Sequence, residues 1–250
     1  MAPPDFERRA LRLEVILLLA VTYGLSAITA ILQLIDAVLS GLGVRRIALN
    51  PRQSVFPAID FGLNAAWALQ LFAWAGLGLY LLWRSGFSPA RIGLDGPPRR
   101  IDLAGALGLA IAIGLPGLGL YLLARALGIN AVVIPAALDD LWWRAPLLTV
   151  IAFANAFAEE VIVVGYLLTR LGQLQVSPRV TLACSALLRG GYHLYQGFGA
   201  GLGNIAMGLV FGGVWQRTGR LWPLVLAHAL IDTVAFVGYA SFAEKLGWLR

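Results

Sequence analysis

The chain has 250 residues, 59% of them hydrophobic and only 13% charged, with a mean hydropathy of +0.79. Soluble domains carry about twice that share of charge, and here the apolar residues come in runs, several reaching the ~20 residues that cross a bilayer core, so a water-soluble globular protein is excluded. The net charge of +6 does not point to nucleic acid, because the basic residues are nearly all Arg, set singly or in pairs at the ends of apolar runs.

Apolar runs predict an all-α, polytopic transmembrane helix bundle of about seven to eight spans, with its polar site inside the bundle. Arg8, Arg9 and Arg12 precede the first run, Leu13 to Leu39, which is too long for the apolar core of a cleavable signal and reads as a retained span. A polar loop with Arg45, Arg46, Pro51 and Arg52 leads to span two, Phe61 to Trp83. A basic loop holding Arg84, Arg91, Arg99 and Arg100 leads to span three, Ile101 to Leu127, which Pro116 is expected to kink. Ile129 to Pro146, with Asp139, Asp140 and the Trp142–Trp143 pair, reads as interfacial. Span four covers Leu147 to Leu171, span five Val180 to Tyr195, span six Leu202 to Gln216 and span seven Leu221 to Tyr239. Arg and Lys are more numerous on the side that holds the N-terminus, which the positive-inside rule places in the cytoplasm. Cys184 is the sole cysteine, so no disulfide framework or Cys-based metal knuckle exists. Gly208 and Gly212 are spaced for close helix packing, and the glycine-rich stretch from Gly197 to Gly203 reads as a connecting turn.

Ionisable side chains within spans are the informative residues, since each costs about 2.5–3.5 kcal/mol at mid-span on insertion scales. Glu159 and Glu160 stand side by side deep in span four, about 100° apart around a helix, so they face different surroundings. Span five carries Arg189 and His193 one turn apart, and span seven carries His228 and Asp232 at the same spacing. A carboxylate beside an imidazole fixes its tautomer and raises its basicity. Asn155 and Asn204 read as helix-packing hydrogen bonders. Left unpaired in lipid, Glu159, Glu160, Arg189 and Asp232 would cost on the order of 10 kcal/mol, so they must meet one another or water inside the bundle. Such a cluster suits either general-base hydrolysis or a two-His, one-carboxylate metal site; the zincin helix motif HExxH is absent. Buried ion pairs with a purely structural role are the alternative.

Glu159–Glu160 with Gly165–Tyr166, then His193 with LYQG, then TGRLWPLVLAHALID resemble, in order and separation, the CPBP family of type II CAAX prenyl endopeptidases and bacteriocin-immunity-like membrane proteins. The resemblance covers about Phe153 to Phe236. It divides the chain into N-terminal spans and interfacial segment (1–146) and CPBP-like catalytic helices (147–250), within one integral domain. It implies that Glu159 and His193 activate water and that His228 and Asp232 stabilise or orient around the tetrahedral centre; Glu160 and Arg189 are read as supporting residues. Two positions depart from the family pattern: its first-motif Arg is Val164 here, and its second-motif Phe is Arg189. Arg189 is therefore expected to supply Glu160 with a cation from the neighbouring helix.

The implied function is an intramembrane endopeptidase acting on a membrane-associated, CAAX-type or other, peptide or protein substrate. The expected mechanism uses no cofactor; one divalent, zinc-like metal is the alternative. A catalytically silent membrane binding or immunity protein is a second reading. An ion-coupled transporter is a third, although no inverted repeat supports it. The expected partners are the lipid bilayer and the substrate, with no nucleic acid. Arg-over-Lys usage suggests a bacterial cell membrane.

Overall fold

The computed structural model describes residues 5–134 and 141–238. Asp139, Asp140 and Tyr239, which the sequence places in the interfacial segment and at the end of span seven, lie outside the described residues. Among the described residues the fold is a bundle of seven long helical rods, in the order α1 (Asp5–Ser40), α2 (Pro57–Arg84), α3 (Arg100–Ala126), α4 (Arg144–Gln173), α5 (Pro178–His193), α6 (Phe198–Thr218) and α7 (Trp222–Val237). Five of these, α1 to α4 and α6, are long and apolar enough to cross a bilayer; α5 and α7 are shorter. A single parallel strand pair, β1 (Arg46–Ala48) and β2 (Val132–Ile134), is the only sheet among the described residues.

The rods begin and stop where local chemistry dictates. Proline opens α2, α5 and α7 in the first turn, where its missing N–H has no intrahelical partner to lose. Asp102 accepts a hydrogen bond from the Arg99 backbone N–H at 2.7 Å and donates its own N–H to the Arg99 carbonyl, which caps the start of α3. Helix α3 runs on through Pro116 without interruption. Three rods contain π-helical turns, Ala20–Gly24 in α1, Glu160–Tyr166 in α4 and Val234–Gly238 at the end of α7. Such turns concentrate at functional sites because they re-aim side chains, and the second begins at Glu160.

Helix α4 is the central rod. Of its most apolar 18-residue window 67% is buried, against 11–33% for the other four long rods. Ion pairs hold both of its ends, the first of them fully buried. Near its start, Arg144 Nη1 lies 2.7 Å from Asp60 Oδ2 of α2, and Asp60 Oδ1 accepts from the Gln53 backbone N–H at 2.6 Å. Near its finish, Arg170 Nη2 lies 2.8 Å from Glu14 Oε1 of α1, and the Tyr166 hydroxyl donates to the same oxygen. Hydropathy alone assigns these residues no partner; the packing makes them clamps.

The glycine-rich stretch corrects the sequence reading. Only Gly197, at φ +121°, makes the turn, and the chain is helical from Phe198 onward. Gly208 and Gly212 do bring α5 and α6 together: an added Cβ would come within 2.8 Å of Ala186 Cα and 2.6 Å of Leu182 Cδ1.

The basic loop between α2 and α3 docks on the turn that opens α7. Trp215 Nε1 donates to the Ile92 carbonyl at 3.1 Å, and Trp222 Nε1 donates to the Gly96 carbonyl at 2.7 Å. Arg220 grips Asp102 through two 2.6 Å bonds, a bidentate geometry among the stronger pairings available. Gly93 sits at φ +87°, and a Cβ there would fall 2.3 Å from Arg220 Cα. Gly93→Ala therefore meets both backbone strain and a backbone clash. It is expected to destabilise the protein by about 2 kcal/mol or more, read as a lowered Tm in detergent.

Candidate active site

The structure brings Glu159, Glu160, Arg189, His228 and Asp232 into one buried cluster where α4, α5 and α7 meet. Both histidines of the chain lie at this convergence. The π turn follows directly on Glu159, and the two glutamates take different partners. Glu160 is fully enclosed: its Oε1 accepts from Arg189 Nη2 at 2.6 Å and faces His228 Nδ1 at 2.9 Å. Glu159 Oε2 accepts from the Tyr192 hydroxyl at 2.6 Å, and its Oε1 accepts from Asn155 Nδ2 at 3.2 Å. Arg189 Nη1 approaches Glu159 Oε2 no closer than 3.7 Å. Glu160 is thus neutralised by a short ion pair, while Glu159 is held by neutral donors and keeps lone pairs to spare.

Arg189 occupies the place beside Glu160 that an Arg at position 164 would serve in the family pattern. Val164 itself is fully buried among apolar neighbours. The guanidinium lies over the Phe211 ring, 5.8 Å from its centroid, a cation–π contact that offsets part of its desolvation.

His228 stands between two carboxylates, with Nδ1 at Glu160 and Nε2 3.5 Å from Asp232 Oδ2. A neutral ring donates from one nitrogen only, so an imidazolium fits both neighbours. The Asp232 separation exceeds a normal hydrogen bond, which leaves the Nε2 side able to serve another acceptor. His193 has no hydrogen bond to either glutamate among the described residues. Its Nδ1 lies 3.0 Å from the Arg189 carbonyl, and its ring packs on Tyr192 with centroids 4.7 Å apart. A carbonyl only accepts, so Nδ1 carries a proton, and in the neutral ring Nε2 is then the lone pair, the form of a base.

Three contributors were not read from the sequence. Asn155, taken there for a packing residue, donates to both Glu159 and Asp232, the latter at 3.0 Å. Its place one turn before Glu159 was the available signal. Tyr192 immediately precedes His193 yet reaches Glu159. Tyr23, from the π turn of α1, packs on Tyr192 at 4.9 Å, and its buried hydroxyl has no hydrogen-bond partner among the described residues. Asn204, by contrast, only bonds the Ala200 carbonyl of its own helix.

A divalent metal is the alternative that the sequence leaves open. Among the described residues no three His, Cys, Asp or Glu side chains group to hold one. Both His228 nitrogens already face carboxylates, and Glu160 Oε1 is shared with Arg189. Among the described residues, Glu160 Oε2 and Arg189 Nε are buried without a hydrogen-bond partner. Unsatisfied groups of this kind are rare in packed interiors and cluster where water or substrate acts.

No curated protein and no solved structure matches the chain. Residues 140–234 match the family model of the Rce1-like type II CAAX prenyl endopeptidases, a span that takes in the whole cluster. Over that segment, which is less than half of the chain, the sequence is similar to the CAAX-type intramembrane proteases.

Proposed function

We propose that the protein is an intramembrane endopeptidase that hydrolyses a peptide bond of a membrane-associated substrate with a water activated by Glu159. One observation carries the reading: of two adjacent buried glutamates, one is spent on an ion pair and the other is held by a tyrosine and an amide. A carboxylate so held is oriented without being neutralised, as a general base must be.

Glu159, helped by the free Nε2 of His193, takes a proton from water as the oxygen adds to the scissile carbonyl carbon. The carbonyl oxygen becomes an oxyanion, and the Nε2–H of His228 is the donor best placed to receive it. Asp232 orients that ring, since an ionised carboxylate cannot donate to an oxyanion. Glu159 then passes its proton to the departing amine as the C–N bond breaks, leaving a new carboxylate and a new amine. Arg189 and Glu160 act at one remove, holding His228 and the end of α5 in place. No step requires a metal. Arg-over-Lys usage supports a bacterial cell membrane as the setting.

Asp232→Asn is expected to keep turnover within about tenfold of the parent, because the amide oxygen still faces Asn155 and the ring and only one hydrogen bond changes character. Complete loss, accompanied by loss of a bound metal, would mean that Asp232 is a ligand. The proposal itself is tested by incubating purified protein in liposomes with quenched peptides, with and without a prenyl group, and locating product termini by mass spectrometry. Internal cleavage is the expected result. Absence of product from every peptide would favour a silent binding protein, with Val164 as the departure to examine.

A further inference from the structure

The second half of α1 carries a polar stripe that the cluster does not use. Thr22, Ser26, Thr29, Gln33, Asp36 and Ser40 recur alternately four and three residues apart, so they lie along one face of the helix. This rod has the highest mean hydropathy of the five, 2.4 in its best window, which makes a continuous polar line on it anomalous. Thr22 and Ser26 bond back to carbonyls of their own helix. Among the described residues, the Thr29 hydroxyl and the Gln33 side-chain amide have no hydrogen-bond partner. A primary amide facing hydrocarbon without a partner is unfavourable by several kcal/mol on water-to-alkane scales, roughly 4–8.

Ser26, Thr29 and Gln33 of that face, with Leu25 and Ala30, form one wall of a shallow, open groove of about 450 Å³, whose other wall is Tyr192 and Tyr195. The size is that of a ligand site. Tyr192 belongs to both groove and cluster, since its hydroxyl donates to Glu159. The opposite end of the stripe reaches the bundle surface, where Asp36 pairs with Arg45 at 2.7 Å.

We infer that this groove is the substrate subsite of the proposed peptidase, holding an extended polypeptide segment by its backbone amides and leading it past Tyr192 to Glu159. The inference rests on the proposed function for its occupant. An extended chain is the partner whose needs mirror the wall: it has unpaired N–H and C=O groups at regular intervals, and Gln33 supplies both a donor and an acceptor. From Ser26 to Gln33 the helix rises about 10 Å, enough for about three residues of extended chain. A prenyl or acyl tail would gain nothing from these groups.

Binding separates the subsite from the chemistry. A fluorescein-labelled farnesylated CAAX peptide and its non-prenylated twin are titrated into the Glu159→Gln protein in nanodiscs. They are then titrated into the same protein carrying Gln33→Leu or, separately, Thr29→Val. Both added substitutions are on exposed positions and leave the fold alone. The expected result is that Gln33→Leu weakens both peptides alike, by about five- to tenfold, as loss of one or two buried hydrogen bonds does. Thr29→Val is expected to have a smaller effect of the same sign. Unchanged binding, no binding of either peptide to the starting protein, or weakening confined to the farnesylated peptide would each overturn the subsite. If the parent protein cleaves nothing yet Gln33→Leu still weakens both peptides, the peptidase reading fails and the groove stands.

Discussion

Arg189→Phe, which restores the residue of the family pattern at that position, is expected to destabilise this protein by about 3–5 kcal/mol and to abolish turnover. The reason lies in Glu160, which is fully enclosed and takes its short 2.6 Å contact from Arg189. Removing the guanidinium strands a carboxylate in a low-dielectric interior with only His228 to answer it. Replacing both partners, as in Arg189→Phe with Glu160→Leu, should recover part of the stability, because the larger penalty is the unpaired charge and not the missing pair. Thermal unfolding of the two variants in detergent checks the difference. If Arg189→Phe alone is as stable and as active as the parent protein, the cation assigned to Glu160 is not needed.

The second large effect separates the two glutamates. Glu159→Gln is expected to lower kcat by roughly 10³-fold while leaving the Tm nearly unchanged. Its partners are neutral: the Tyr192 hydroxyl can still donate to the amide oxygen, and no buried charge is orphaned. Glu160→Gln should do the reverse in character, lowering the Tm substantially because it leaves Arg189 fully buried beside a neutral amide. Measuring kcat and Tm on both variants distinguishes a base from a counterion. Equal losses of stability in the two would contradict the division of labour.

Much of the bundle was readable from hydropathy, and the reason is the solvent. A bilayer demands unbroken apolar runs, so the ends of α2 and α3 lie within a few residues of the runs read as spans two and three. The charged members of the cluster were readable for the same reason, because few residues other than functional ones survive at that depth. What escaped was neutral and polar. Asn155, Tyr192 and Tyr23 raise no alarm in a hydropathy profile, yet they set the geometry around Glu159. The stripe from Thr22 to Ser40 was hidden likewise, since hydroxyls diluted by Leu, Ile and Ala leave the average high. The clamps Asp60–Arg144 and Glu14–Arg170 were missed because pairing between distant helices depends on packing that no local window contains. The turn read at Gly197–Gly203 failed differently: glycine counted as a breaker, whereas in a membrane it is a packing surface, and Gly199 and Gly201 sit where a Cβ would strike Ala124 and Leu194.

The most direct test of the central claim is turnover of the quenched peptides in liposomes by the parent protein and by Glu159→Gln, each with and without chelator. The account predicts cleavage by the parent protein that survives chelation and disappears in Glu159→Gln. Cleavage that chelator abolishes, or that Glu159→Gln retains, would contradict it.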